Sequence, residues 1–202
     1  MVSEILGQDH TLGNKGKVRT IISKRIEAAD PDNLSLSELN KLNVMLGMVA
    51  ESSFAGKRRI VEEKIAGFIE FVEDEESLKS LSEILKDVIS QDVIVDPFIV
   101  SPAGHTYSRA AIEEWMKGKG QAPDPTTRAP IQSIEPNQAI ANLLDEVYRQ
   151  HQAGAAIDLQ KILDVAKAGV RSTEPTDFML QNCIEVLDEM ITANNTHKND
   201  GP

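Results

Sequence analysis

The sequence predicts an α+β protein that is predominantly α: a compact centre with a small β-hairpin, flanked by helical N- and C-terminal regions. Three observations carry this. Both flanks place apolar residues at three- and four-residue spacing, the period of a half-buried helix. In the middle, from Val93 to Tyr107, the pattern shifts to β-branched and aromatic clusters punctuated by proline and glycine. There is a single cysteine, Cys183, so neither internal disulfides nor a multi-cysteine zinc site can hold the centre together.

In chain order, Val18, Ile21, Ile22 and Ile26 share one helical face, and Pro31 and Asn33 end that helix. Ser35 followed by Glu38 has the form of a capping box, with Leu39, Leu42, Leu46 and Val49 on the face behind it. Gly56 punctuates. Ile60, Phe68 and Phe71 then mark a third helix, weakened by Gly67. The acidic run Glu73–Glu76 suits a junction or a first helical turn, where the helix dipole favours anions. Leu78, Leu81, Ile84 and Leu85 extend the helical pattern to the centre.

The centre opens with Val93, Ile94 and Val95, then Phe98, Ile99 and Val100, split by Asp96 and Pro97. Pro102, Ala103 and Gly104 form a turn, and His105, Thr106 and Tyr107 return as a short strand. Ser108 is a good N-cap for a helix with Ala111, Ile112, Trp115 and Met116 on one face, ended by Gly118 and Gly120. Pro123, Pro125 and Pro130 fix an extended loop, after which Pro136 and Asn137 open a helix that buries Ile140, Leu143, Leu144 and Val147. Past Gln152, Leu159, Ile162, Leu163 and Ala166 make a stripe with Gly169 as its C′ residue. Thr176 is the expected cap of a last helix carrying Met179, Cys183, Val186, Leu187 and Met190, and the Asn-rich tail from Ala193 is expected to be mobile. No internal repeat is visible. The expected division is residues 1–80, a helical region for substrate or targeting; 81–152, the central domain; and 153–202, C-terminal helices and tail.

Composition narrows the function. With 202 residues, 41% hydrophobic and only 4% aromatic, the chain suits one or two aliphatic-cored domains. A net charge of -11 disfavours nucleic acid, which needs a basic face. The best basic cluster, Lys57, Arg58 and Arg59, reads as a solvated helix start. No apolar run is long enough to span a bilayer, and the first residues lack the pattern of a secretory signal, so a cytoplasmic location is expected. Membrane association has no support beyond the amphipathic C-terminal helix, where acylation of Cys183 is the minor reading and a buried, inert thiol the better one.

The central residues occur as ordered blocks: Asp96 and Pro97; Ser101 to Tyr107; Ser108 to Met116; Asp124 to Ile131; and Pro136 to Ile140. In that order they resemble the U-box, the metal-free relative of the RING finger found in ubiquitin ligases. The resemblance runs from about Leu85 to Tyr148, roughly a third of the chain. The segment Asp87, Val88, Ile89 departs from it, with valine where the family usually has proline, and Asp124 stands where many relatives have cysteine.

The resemblance implies a RING-type ubiquitin transferase that needs no cofactor and no metal. Its partners would be a ubiquitin-conjugating enzyme, ubiquitin and a protein substrate that the sequence does not name. Ile89 in the first loop and Pro125 in the second would touch the conjugating enzyme, with Trp115 or Met116 lining the floor between them. Arg128 would bridge conjugating enzyme and ubiquitin and hold the thioester in a reactive geometry, a role that suits a planar fork of donors. Some bacterial proteins delivered into host cells carry U-boxes, and for such an effector the location would be the host cytoplasm. Some U-box proteins dimerise, and the sequence leaves the oligomeric state open.

Taken singly, these residues also have plainer readings. Ile89 is then a core residue, Pro125 a loop stiffener, and Arg128 the ion-pair partner of Asp124. Asp96 bonds backbone in the hairpin, His105 steadies a turn, and Tyr107 is core with a satisfied hydroxyl. A degenerate U-box serving only as adaptor is the alternative function. A cysteine-dependent enzyme would need Cys183 to be reactive.

Overall fold

A computed structural model describes residues 11–49, 52–119, 122–170 and 177–199. Eight α-helices and a three-stranded antiparallel sheet are found there. The contacts divide the chain into two compact units: Met1–Leu34 with Glu38–Lys64, and Ser35–Ser37 with Ile65–Pro202.

The first unit holds α1 (Thr11–Ala28), most of α2 (Leu36–Val49) and the start of α3 (Ala55–Asp74). Its buried residues include Ile26, Leu39, Leu42, Leu46, Val49, Phe54 and Val61; the predicted face of α2 is buried, but Val18 and Ile21 of the first predicted face are exposed, and on α3 Val61 is buried in place of the predicted Ile60. The basic cluster is largely spent on helix ends. Lys57 Nζ donates to the carbonyls of Ile26 (2.7 Å), Glu27 (3.0 Å) and Ala29 (2.6 Å), capping α1 with a cation where the dipole is negative. Arg58 donates to the Leu46 carbonyl, and Arg59 lies 3.6 Å from Glu63 on the surface.

The second unit contains the rest. Glu75 accepts from the Ser77 N–H and hydroxyl, so the acidic run is a junction that caps a short 3-10 turn before α4 (Lys79–Ile84). β1 (Pro97–Ser101) is the central strand, paired with β2 (Thr106–Ser108) on one side and β3 (Ser133–Pro136) on the other. The hairpin was expected. β3 was not, and Pro136 ends it rather than opening a helix; Asn137 then caps α6 (Gln138–Gln152) by accepting from the Ile140 N–H. Val93 to Val95 form only an isolated bridge, Lys86 with Val93.

Helix α5 (Arg109–Met116) starts without the expected Ser108 side-chain cap. Its start is satisfied from elsewhere: the Arg109 N–H donates to the Asp96 carbonyl and the Ser108 N–H to Asp87 Oδ2. Gly118 is left-handed just past its end (φ 74), while Gly120 lies outside the described residues.

On α6, Phe68 meets Tyr148 edge-on (5.4 Å) and Phe71 stacks on His151 (4.0 Å). Asp158 caps α7 (Leu159–Gly169) through the Lys161 N–H. Gly169 is helical here, not a left-handed C′ residue: a Cβ at this position would sit 2.7 Å from Ala139 Cβ, so glycine lets α7 approach α6. Thr176 lies outside the described residues; Asp177 caps α8 (Phe178–Asn199) by accepting from the Leu180 N–H. The expected mobile tail is helical through Asn199, since no helix breaker intervenes after Ala193. Cys183 is fully buried on α8, and burial pushes its thiol pKa well up, which disfavours the thiolate. Among the described residues no helix is long and apolar enough to cross a membrane.

Candidate functional site

Two loops flank the hairpin, and they are built on the same hydrogen-bond plan. In the first, Asp87 donates its N–H to the Asp92 carbonyl (2.9 Å) and accepts from the Gln91 N–H (2.8 Å). In the second, Asp124 donates to the Ala129 carbonyl (2.7 Å) and accepts from the Arg128 N–H (2.9 Å). Each aspartate also accepts, through Oδ1, from the amide two residues on: Ile89 (2.7 Å) and Thr126 (3.0 Å). Each loop is closed by a matching pair, Ile94 N–H to Leu85 O and Ile131 N–H to Ala122 O. The backbone therefore repeats although the sequence does not, sharing little beyond the aspartate and the closing isoleucine.

Both aspartates are fully buried. Their remaining oxygens reach consecutive residues of β2: Asp87 Oδ2 accepts from the Ser108 N–H (2.6 Å) and Asp124 Oδ2 from the Tyr107 hydroxyl (2.9 Å). Asp124 has further donors in the Thr127 N–H (2.6 Å) and hydroxyl (2.9 Å). Burial alone would raise the Asp124 pKa; the Thr127 and Tyr107 hydrogen bonds, with His105 nearby, hold it below the usual value instead. Burial pushes the Tyr107 hydroxyl well up, so it stays protonated as a donor. A buried carboxylate with this many donors can hold a loop where a related fold would use a metal. Among the described residues no cluster of three or more His, Cys, Asp or Glu could hold a metal ion.

Between the loops a small core forms from Val100, Tyr107, Ile112, Ala122 and Ile131. Ile89, Trp115 and Met116 pack against it and remain partly exposed. Trp115 also ties α5 to the second loop, its Nε1–H donating to the Pro123 carbonyl (2.8 Å), and Lys119 Nζ lies 3.7 Å from its ring centre. Pro125 and Arg128 lie on the second loop and are not part of that cluster. Pro125 is partly exposed and Arg128 exposed.

Arg128 is held with φ 65, a left-handed conformation that costs a non-glycine residue of order 1 kcal/mol. Among the described residues nothing pairs with its guanidinium. The plain reading of an Asp124–Arg128 ion pair fails because Asp124 is already filled by other donors.

Val88, at the position of the missing proline, is 58% exposed. The loop is nonetheless fixed there, by the Asp87 bond to Ile89 and by Gln91 Nε2 donating to the Val88 carbonyl (3.0 Å). The sequence reading gave no role to Asp87 and treated Asp124 as a partner for Arg128. A usable signal was present: an aspartate two residues before an amide that needs an acceptor is an Asx-turn former.

Two hydrogen-bonded loops on a hairpin and one helix, with no metal cluster among the described residues, define a metal-free RING-like domain. Residues 81–153 match the U-box domain family, and the chain carries a U-box there. The chain is also similar to the E3 ubiquitin-protein ligase CHFR of Danio rerio, 32% identical over 71 residues, which is 35% of this chain and 11% of that protein. No solved structure gives a significant match.

Proposed function

We propose that this protein is a U-box ubiquitin ligase: it binds a ubiquitin-charged conjugating enzyme and promotes transfer from the thioester to a substrate lysine, with no covalent intermediate of its own. The observation that carries this reading is the second loop, whose buried Asp124 fixes the backbone while exposed Arg128 has no partner for its guanidinium among the described residues. An arginine set at an unfavourable φ, with no partner among the described residues, is suited to an external one. Its proposed part is orientational, bridging conjugating enzyme and ubiquitin. Ile89, Pro125, Trp115 and Met116 are the proposed contacts to the conjugating enzyme, a small apolar centre of the size a transient interface uses. Buried Cys183 fits no carrier role.

The test is ubiquitin discharge from a panel of charged conjugating enzymes. Arg128→Ala should slow discharge roughly tenfold or more with binding nearly intact, and Ile89→Ala should weaken binding by roughly tenfold. Arg128→Lys should behave like Arg128→Ala, since one rotating ammonium does not replace the fork. Full activity in both alanine variants would end this assignment of roles. A second reading, an adaptor without ligase activity, draws on the exposed Val88 where relatives have proline. It expects no discharge with any conjugating enzyme.

A further inference from the structure

The cap and the first residue of α8 lie outside the U-box, yet they reach three consecutive residues of its hairpin, the third by way of Asn137. The Phe178 N–H donates to the Gly104 carbonyl (3.3 Å). The Phe178 ring stacks on His105, with centroids 5.3 Å apart and planes 26° from parallel. Asp177, 2% exposed, accepts from Asn137 Nδ2 (2.6 Å), and the same Nδ2 donates to Thr106 Oγ1 (2.8 Å).

The middle residue of the three leads to the second loop. His105 Nδ1 is buried, outside hydrogen-bond geometry, and 3.5 Å from Asp124 Oδ1. That oxygen also receives the Thr126 and Thr127 N–H groups. Phe178 therefore backs an imidazole that faces the anchor of the loop carrying Arg128. A phenylalanine serving only as filler would be buried; Phe178 is 46% exposed, and its ring stacks on His105.

We propose that Phe178, at the helix start that Asp177 caps and ties to Asn137, is a positioning residue that braces the second loop through His105, so that the C-terminal helices set how Arg128 is presented. In its consequence for ubiquitin transfer this rests on the ligase reading; the brace itself does not. The first loop provides an internal control, because its Asp87 carboxylate bonds only the backbone amides of Ile89 and Ser108, and among the described residues none of α8 is bonded to it.

The experiment uses the full chain and compares wild type, Phe178→Ala and Phe178→Tyr. Amide hydrogen exchange should speed up roughly tenfold at Thr127 and Arg128 in Phe178→Ala and stay unchanged at Ile89. Discharge at saturating charged conjugating enzyme should fall roughly three- to tenfold, and Phe178→Tyr should restore both readouts by restoring the stack. Unchanged exchange at Thr127 and Arg128, an equal rise at Ile89, or failure of tyrosine to rescue each overturns the brace. If Phe178→Ala does not fold, His105→Ala removes the same stack from its other side and is held to the same pattern. A wild-type chain that discharges no ubiquitin while the exchange pattern holds removes the ligase reading and leaves the brace standing.

Discussion

The two loops of the U-box share a backbone and differ in what braces them. In the first, the Asp87 carboxylate accepts from backbone amides alone: Ile89 within the loop and Ser108 at the start of α5. The second, around Asp124, adds side chains, with hydroxyls from Tyr107 and Thr127 on its carboxylate and His105 alongside. Each holds one non-glycine residue in the left-handed region at the equivalent place, Gln91 (φ 67) and Arg128 (φ 65). Gln91 folds back onto its own loop, whereas Arg128 has no side-chain partner among the described residues. One turn design thus serves two purposes: a locally satisfied loop that displays an aliphatic residue, and a heavily braced one that displays a charge.

If the bracing differs in this way, removing the second anchor should cost most. Asp124→Ala would leave the buried Tyr107 hydroxyl with Thr126 Oγ1 as its one remaining partner and take the carboxylate acceptor from the Thr126 and Thr127 amides, and should destabilise the domain by about 3 kcal/mol in urea unfolding. The same carboxylate makes the second loop acid-sensitive. Its folded pKa is depressed, so its contribution is complete above the usual carboxylate range and disappears as pH falls through the lower folded value. Exchange protection at Thr127 should therefore persist as pH falls through the usual carboxylate range and fail only below it.

Asp87→Ala deprives fewer donors of their acceptor. The Ile89 and Ser108 amides lose their acceptor, for about 2 kcal/mol, and the loss should fall on conjugating-enzyme binding through Ile89 rather than on Arg128. Equal costs for the two alanines would show that the extra side-chain donors on Asp124 contribute nothing, and the contrast between the loops would be one of appearance.

Turn chemistry made much of this legible. Pro102 and Gly104 marked the hairpin, the apolar face from Ala111 to Met116 marked α5, and Asn137 marked the cap of α6. What stayed hidden depends on partners far away in sequence. β3 is four residues with exposed Glu135 and Pro136, and becomes a strand only because β1 offers an edge. Ser108 looked like a cap, but Asp87, 21 residues earlier, does the work. Gly169 looked like a terminator because the close approach of Ala139 leaves no trace in local pattern. The site was legible as a set of residue types through resemblance. The anchoring aspartates carried only a short Asx-turn signal, two residues from donor to acceptor; the grip of Asp177 and Phe178 carried none, since each of its contacts is a long-range hydrogen bond or stack.

The smallest effect tests the correspondence between the loops most directly. Val88 follows Asp87 as Pro125 follows Asp124, and the surrounding hydrogen bonds match. The second loop thus shows that this turn accepts proline at that position. Val88 is exposed, and among the described residues nothing accepts from its N–H. Val88→Pro should then remove unfolded-state freedom without losing a bond, raising stability by about 0.5 kcal/mol, and should tighten conjugating-enzyme binding by at most a few-fold through a stiffer Ile89. A loss of more than about 1 kcal/mol would mean that the backbone at Val88 differs from that at Pro125, because proline stabilises only where its fixed φ already fits. The equivalence of the two turns would then stop at their hydrogen bonds.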